Sequence, residues 1–191
     1  TYFMTVLTYL RDKNYQGLIV LHNEPDIISQ DDMSPEMAAG LYLYAIQVLT
    51  QASFITPNAV DIQYLNKFLY ILGDQWRSND YIGIHIYQSH PYVPAPEIMP
   101  RVWIAKVKDV LKKHGIRSKI VLSEFGVPEI WEKDVAVDYY TQIFRSDLEM
   151  ACVYTSIPCG GWVPYGCGYD LINKSGELTI NGQALQETLT K

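Results

Sequence analysis

Apolar residues recur along this chain with two alternating periods, one typical of helices and one typical of buried strands. Residues 1–13 have helical spacing, and the continuous apolar run at residues 17–21 predicts a strand that is buried on both faces. Ser34 and Pro35 then predict the start of a helix, and residues 53–56 predict a second, weaker strand. The pattern therefore indicates a repeating unit of helix and strand.

The second half of the chain continues this alternation. Asp61 is predicted to cap a helix, and a longer helix after Pro100 is predicted to end at Gly115, where glycine favours a left-handed cap. The remaining predictions are strands at 81–87, 119–123 and 151–157, and helices at 134–148, capped by Asp134, and at 183–190.

The spacing of the strands restricts the fold class. Strand starts recur at roughly 30 to 37 residues, the length of a βαβ unit, which indicates an α/β protein with a parallel sheet. Two architectures fit this spacing: a doubly wound sheet and a (β/α)8 (TIM) barrel. No glycine-rich phosphate loop follows any of the predicted strands, and candidate functional residues stand at several strand ends, so the barrel is favoured.

The number of strands is too small for a closed barrel. A closed barrel has eight strands, so we expect residues 1–191 to form a single portion of a catalytic barrel, strands four to eight, without strands one to three. The outer strands of such a portion would expose unpaired apolar edges. We therefore expect a companion fragment, a second copy or a rearranged packing to cover them.

Composition excludes several functional classes. Apolar residues make up 48% of the chain, but no apolar run is long enough to span a bilayer, so a membrane protein is not expected. The balance of 15 basic and 21 acidic residues, without a basic stripe, argues against nucleic acid as a partner. Fifteen tyrosines and four tryptophans suit stacking on sugar rings, although core packing is the more usual role.

The three cysteines leave the compartment undetermined. Cys152, Cys159 and Cys167 are odd in number and lack metal-like spacing, so a complete disulfide framework and a zinc site are not expected. No export signal is recognisable, and secreted and cytoplasmic locations both remain open.

Two glutamates about one hundred residues apart are the strongest candidates for chemistry. Glu24 follows the first apolar strand in Asn-Glu-Pro, and Glu124 ends another in Ser-Glu-Phe-Gly. A carboxylate at the carboxyl end of a buried strand is costly to desolvate, so two in matching positions indicate a catalytic pair. His85 and Tyr87 stand on the strand between them, in His-Ile-Tyr.

With these motifs the whole chain resembles the clan A retaining glycoside hydrolases, β/α barrels with an acid/base after strand four and a nucleophile after strand seven. The resemblance implies that Glu24 is the acid/base, Glu124 the nucleophile and Asn23 a hydrogen-bond partner of the sugar 2-hydroxyl. It further implies three substrate-site residues: His85 lining the pocket, Tyr87 contacting the nucleophile, and Trp162 as an aromatic platform under the sugar. The arginine that this family supplies from strand two has no counterpart here.

The expected activity is hydrolysis of β-glycosidic bonds in an oligo- or polysaccharide by double displacement, with no metal or organic cofactor. In this mechanism the two carboxyl groups lie about 5 to 5.5 Å apart, and one is protonated while the other is ionised. The alternative from another class is a noncatalytic carbohydrate-binding or structural protein derived from a glycosidase barrel. A sugar isomerase or aldolase is disfavoured because no strand-end lysine or metal cluster is recognisable in the sequence.

Overall fold

A computed structural model describes residues 2–87, 99–127, 132–153, 171–173 and 175–190 of the 191-residue chain. In these residues the strands are β1 (Leu18–Val20), β2 (Ser53–Ala59), β3 (Tyr81–Tyr87), β4 (Ile120–Gly126) and β5 (Met150–Val153). The helices are α1 (Tyr2–Asp12), α2 (Pro35–Val48), α3 (Ile62–Leu72), α4 (Pro100–Lys113), α5 (Lys133–Phe144) and α6 (Ile180–Leu189), with a short 3-10 turn at Gly73–Gln75.

The strands form one sheet in the order β1-β2-β3-β4-β5, so each strand neighbours the next along the chain. The pairs β1–β2 and β2–β3 are parallel, with Leu18 opposite Ser53 and Ile55 opposite Tyr81. Parallel neighbours joined through helices are the arrangement of a (β/α)8 barrel. The predicted fold class, a portion of a TIM barrel with five of its strands, is confirmed.

The chain is divided into two compact units. The first unit comprises Thr1–Ile84 and Val107–Val121, and the second comprises His85–Lys106 and Leu122–Lys191. In the first unit α2 packs against α3, and α3 packs against β2. In the second unit α5 packs against α6. The largest fully buried side chains are Tyr42, Phe54 and Phe68 in the first unit, and Phe125, Tyr139 and Tyr140 in the second.

Several local signals in the sequence have the structural role that was predicted. The Ser34 side chain accepts a hydrogen bond from the Met37 amide and caps α2, and Asp61 caps α3 in the same way through Gln63. Gly115 follows α4 with a φ of +68°, a conformation that glycine adopts without a steric penalty.

Other boundaries were wrong. Glu132, not Asp134, is the N-cap residue of α5, and its side chain makes no capping hydrogen bond. Asp134 lies in the first turn instead, where a carboxylate also interacts favourably with the helix dipole. The same helix ends at Phe144 rather than near Leu148. Strand β4 extends to Gly126, so Glu124 lies within the strand and not after it.

The first strand is less buried than its apolar run predicts. Leu18 and Val20 are 38% and 58% exposed, and only Ile19 between them is partly covered. The reason is position, because β1 is at one end of the sheet and has β2 as its neighbour. Burial on both faces was therefore wrong for β1, whereas an exposed apolar edge was correctly expected there.

None of the helices in the described ranges has both the length and the apolar character that crossing a bilayer requires. Cys152 on β5 is an exposed free thiol, and the other two cysteines lie outside the described residues.

Candidate active site

Glu24 lies in the loop that follows β1, in the first unit. Its backbone has a φ of +47°, a left-handed conformation that costs energy in a residue with a Cβ atom. The Glu24 carbonyl accepts a hydrogen bond from the Ile27 amide, and its side chain is half-buried. Strained backbone of this kind occurs often at functional sites, where the surrounding structure holds it in place.

A buried polar network holds the start of this loop against β2. His22 Nδ1 and Thr56 Oγ1 are 2.8 Å apart, and Asn58 Nδ2 donates to the His22 carbonyl at 2.7 Å. His22, Thr56 and Asn58 are all buried. Gly83 leaves the space that Asn58 needs, because a Cβ atom there would lie 2.0 Å from Asn58 Oδ1. The network fixes the backbone two residues before Glu24.

Burial also keeps His22 neutral. Desolvation lowers the pKa of His22 to about 4, against a smaller opposite effect of the negative charge of Asp31. His22 Nε2 is buried and makes no hydrogen bond within the described residues. The other ring nitrogen of His22 lies at hydrogen-bonding distance from Thr56, so the side chain helps to hold the loop against β2.

Asp26 anchors the far side of the same loop. Its carboxylate accepts hydrogen bonds from the Val60 amide at 2.9 Å and from the Asp61 amide, at the start of α3. The loop is thus held two residues before and two residues after Glu24. Asp26 and Asn58 were not recognised from the sequence; the only signal was an aspartate directly after Asn-Glu-Pro, a residue type that often bonds to nearby backbone amides.

Asn23 is exposed beside Glu24. Its backbone amide donates to Asp31 Oδ2 at 2.7 Å, and its side-chain amide donates to Gln30 Oε1 at 3.3 Å. Asp31 therefore stabilises the loop through the Asn23 backbone. The predicted contact of the Asn23 side chain with a sugar stays a prediction.

In the second unit three of the predicted site residues lie together. The Tyr87 hydroxyl donates to Glu124 Oε2 at 2.5 Å, and His85 Nδ1 is 3.7 Å from the same oxygen. His85 is 2% exposed, while the Glu124 side chain is 30% exposed and Tyr87 is half-buried. The rings of His85 and Tyr87 contact each other edge to face, with centroids 6.3 Å apart.

Strand geometry explains this cluster. Residues 85 and 87 are two apart on β3, so both side chains point to the same face of the strand. The carbonyl of Ile86 between them accepts a hydrogen bond from the Tyr139 hydroxyl of α5 at 2.9 Å. Near Glu124, the side chain of Asn181 on α6 donates to the Val127 carbonyl at 2.6 Å. Helices α5 and α6 therefore fix the carboxyl ends of β3 and β4.

The Tyr87 hydroxyl is a hydrogen-bond donor to one oxygen of Glu124. A hydroxyl donor on one oxygen stabilises negative charge, and such charge-assisted hydrogen bonds are short. The Glu124 side chain is 30% exposed, so part of it is accessible from solvent. Trp162, the predicted aromatic platform, lies outside the described residues.

Comparison with solved structures identifies the same fold in glycosidases. An endo-beta-1,3-glucanase of GH128 subgroup II from Sorangium cellulosum is 18% identical, with a TM-score of 0.64 over 95% of this chain and 74% of that chain. A GH39 beta-xylosidase from Caulobacter crescentus is 12% identical, with a TM-score of 0.71 over 99% of this chain and 46% of that chain. The chain therefore spans less than half of the xylosidase.

A third structure was determined with a sugar. It is a GH128 subgroup I endo-beta-1,3-glucanase from Amycolatopsis mediterranei in complex with laminaritriose, 15% identical, with a TM-score of 0.64 over 90% of this chain and 72% of that chain. A search of curated protein sequences found no match.

The family is identified by sequence. Residues 3–150 match the family described as glycosyl hydrolase catalytic core, which is well over half of the 191 residues. The matched range contains Glu24, Glu124 and the His-Ile-Tyr strand. The chain belongs to the glycosyl hydrolase catalytic core family and is a glycosidase by that membership.

Proposed function

We propose that the chain carries the catalytic carboxylates of a retaining β-glycosidase, with Glu124 as the nucleophile and Glu24 as the acid/base. The observation that carries this proposal is the hydrogen bond from the Tyr87 hydroxyl to Glu124 Oε2. It gives Glu124 a donor suited to an ionised nucleophile. The strained, doubly anchored loop supports a functional role for Glu24.

The proposed reaction has two steps. Glu124 attacks the anomeric carbon and forms a glycosyl ester, while Glu24 donates its proton to the departing glycosidic oxygen. Glu24, now ionised, then takes a proton from water, and the oxygen of that water displaces Glu124 from the anomeric carbon. Two inversions return the original β configuration, and both carboxyl groups recover their starting protonation states.

We assign the remaining predicted residues to substrate binding and positioning. Asn23 is the proposed partner of the sugar 2-hydroxyl, His85 lines the pocket, and Trp162 is the proposed platform under the ring. The substrate is proposed to be a β-linked oligo- or polysaccharide. Two substrate types deserve testing first, since the similar structures are named as endo-beta-1,3-glucanases and beta-xylosidases: laminari-oligosaccharides and aryl β-xylosides.

The exposed edge of the sheet supports a proposal about assembly. Leu18 and Val20 present apolar side chains on β1, and an unpaired apolar edge is a template for another strand. We propose that a further polypeptide segment or a second copy pairs with β1. Analytical ultracentrifugation tests the second copy: the unaltered chain should self-associate and Val20→Lys should do so less, and no self-association in either protein would contradict pairing with a second copy.

Glutamine variants separate the two carboxyl roles. Glu24→Gln should slow cleavage of poor leaving groups severely but retain the first step with a dinitrophenyl β-glycoside, whose leaving group needs no proton. Glu124→Gln should lose both activities, because the attacking group is gone. Glu36→Gln, an exposed surface carboxylate that pairs with Lys67, is the matched control.

The same assay distinguishes the noncatalytic alternative. Sugar binding without turnover of any activated glycoside, in the unaltered protein, would favour a carbohydrate-binding protein. Because Glu24 also serves as the base of the second step, the comparison is made on kcat/KM, which reports the first step: an equal loss of kcat/KM in Glu24→Gln for good and poor leaving groups would contradict the acid/base assignment.

A further inference from the structure

Two adjacent tyrosines on α5 are both buried but differ in the hydrogen bonding of their hydroxyl groups. Tyr139 and Tyr140 are both fully buried, and their rings pack edge to face with centroids 6.0 Å apart. The Tyr139 hydroxyl donates to the Ile86 carbonyl at 2.9 Å. The Tyr140 hydroxyl has no hydrogen-bond partner within the described ranges, and burial raises the pKa of Tyr140.

The carbonyl that accepts the Tyr139 hydrogen bond belongs to the strand that carries two residues of the Glu124 cluster. Ile86 separates His85 from Tyr87 on β3, and Tyr87 is the last residue of that strand. A strand end has fewer ladder hydrogen bonds to fix its peptide planes than a strand interior. A buried hydrogen bond to the Ile86 carbonyl therefore restrains the peptide from which the Tyr87 side chain extends.

A small rotation of that peptide would disturb the Glu124 contact. The Tyr87 hydroxyl lies far from its own backbone, so a change in the backbone angle is amplified at the oxygen that reaches Glu124. Reactive groups must be held within about 0.5 Å of their productive geometry. The hydrogen bond from Tyr139 limits this rotation, although Tyr139 itself contacts the Ile86 carbonyl and not Glu124.

We propose that Tyr139 is a positioning residue, which aligns Tyr87 with Glu124 through the Ile86 carbonyl. This inference rests on the proposed role of Glu124 as the nucleophile. It assigns a functional contribution to a core tyrosine on a helix, 53 residues away from the carbonyl it holds. Tyr140 packs against Phe125, the neighbour of Glu124, but among the described residues its hydroxyl bonds to no strand, so the inference assigns Tyr140 no positioning role.

The two tyrosines provide a matched test. Tyr139→Phe and Tyr140→Phe each remove one buried hydroxyl from neighbouring positions and leave the ring. Tyr139→Phe should lower kcat about tenfold, as expected when a reacting group is misplaced, with KM changed less than about twofold. Tyr140→Phe should keep both constants within about twofold of the unaltered chain.

Amide hydrogen exchange tests directly whether the backbone of β3 is restrained by Tyr139. Amide hydrogen exchange of the peptide covering residues 81–87, measured by mass spectrometry, should be faster in Tyr139→Phe and unchanged in Tyr140→Phe. A merely structural tyrosine would lower the melting temperature without separating kcat from KM.

Each outcome decides the inference. A lower kcat together with faster exchange in Tyr139→Phe alone supports it. Equal kcat in the two variants overturns it, whatever happens to the melting temperature, and so does unchanged exchange at the end of β3. If the unaltered chain turns over glycosides but forms no adduct at Glu124, the proposed function fails first and the positioning role fails with it; a labelled Glu124 with equal kcat in both variants rejects the positioning role alone.

Discussion

The Tyr87 hydroxyl donates a hydrogen bond to Glu124 Oε2 at 2.5 Å, and this contact defines the candidate nucleophile. Removing the hydroxyl in Tyr87→Phe should lower kcat about tenfold or more, because a hydrogen bond to a charged group contributes about 1.5–3 kcal/mol. Steady-state kinetics on an aryl glycoside measures the effect. The stability of the variant should change little, since Tyr87 is only half-buried. A Tyr87→Phe protein with unchanged kcat would contradict the role of this contact.

The left-handed backbone of Glu24 lowers the stability of the folded protein, because a residue with a Cβ atom is strained at this φ. Glycine at a φ of +47° avoids the steric cost of a Cβ atom, so Glu24→Gly should be more stable than Glu24→Ala by about 1 kcal/mol. Both variants lack the carboxylate and should lose acid/base catalysis. Chemical denaturation compares them. In an unstrained loop the order reverses, so a more stable Glu24→Ala would show that the backbone is not strained in solution.

The sequence predicted the type of most elements because their signals are local. Ser34 caps the helix that it precedes, and Gly115 adopts the positive φ that ends another. The position of Asp134 within α5 shows the limit of such signals, because a carboxylate is favourable both as a cap and in the first turn. Local preference alone does not decide between these positions.

The residues that hold the candidate site in place were harder to recognise from the sequence than the candidate site residues. The motifs around Glu24 and Glu124 are short and contiguous, so they were visible in the sequence. Asn58 and Tyr139 act on carbonyls 36 and 53 residues away, through contacts that exist only after the helices pack on the strands. The exposure of β1 also depends on its place in the sheet, which the apolar run does not encode.

A buried ion pair in the first unit should be important for stability. Asp80 is 1% exposed and accepts hydrogen bonds from the Tyr42 hydroxyl at 2.7 Å, from the Phe54 amide at 2.8 Å and from Arg77 at 2.9 Å. Burial lowers the pKa of Arg77, but hydrogen bonds and the charge of Asp80 outweigh it and raise the pKa overall. Asp80→Ala should therefore lower the free energy of unfolding by about 3–5 kcal/mol, because it leaves Arg77 without its counter-charge.

An exposed ion pair provides the comparison. Lys67 and Glu36 are 2.8 Å apart, but both side chains are more than half exposed. Lys67→Ala should lower the free energy of unfolding by less than about 1 kcal/mol. Urea denaturation of the unaltered chain, Asp80→Ala and Lys67→Ala measures both losses. Equal losses in Asp80→Ala and Lys67→Ala would contradict the importance of the buried network.

Because His22 is buried in its neutral form, we expect the folded protein to lose stability in mild acid. Its pKa in the folded protein is about 4, below the ordinary value of 6.5, because burial disfavours the charged ring. The unfolded chain therefore binds a proton first as the pH falls, and stability decreases between pH 6.5 and 4 by about 3 kcal/mol. Above pH 6.5 this contribution is complete.

The variant His22→Asn isolates this effect. Asparagine supplies an amide group near the position of Nδ1 but does not titrate in this range. Urea denaturation at several pH values from 7.5 to 4.5 should show a steeper decline for the unaltered chain than for His22→Asn. Parallel declines would show that His22 is not the titrating group.

The most direct test of the proposed chemistry is covalent trapping of the nucleophile. An activated 2-deoxy-2-fluoro β-glycoside slows the second step of a retaining enzyme more than the first, so the glycosyl ester accumulates. Incubation of the chain with such a β-glucoside or β-xyloside, followed by proteolysis and peptide mass mapping, identifies the modified side chain. We predict a single adduct on Glu124, absent in Glu124→Gln. An adduct on another carboxylate, or turnover of the glycoside with inversion and no adduct, would contradict the assignment of Glu124 as the nucleophile.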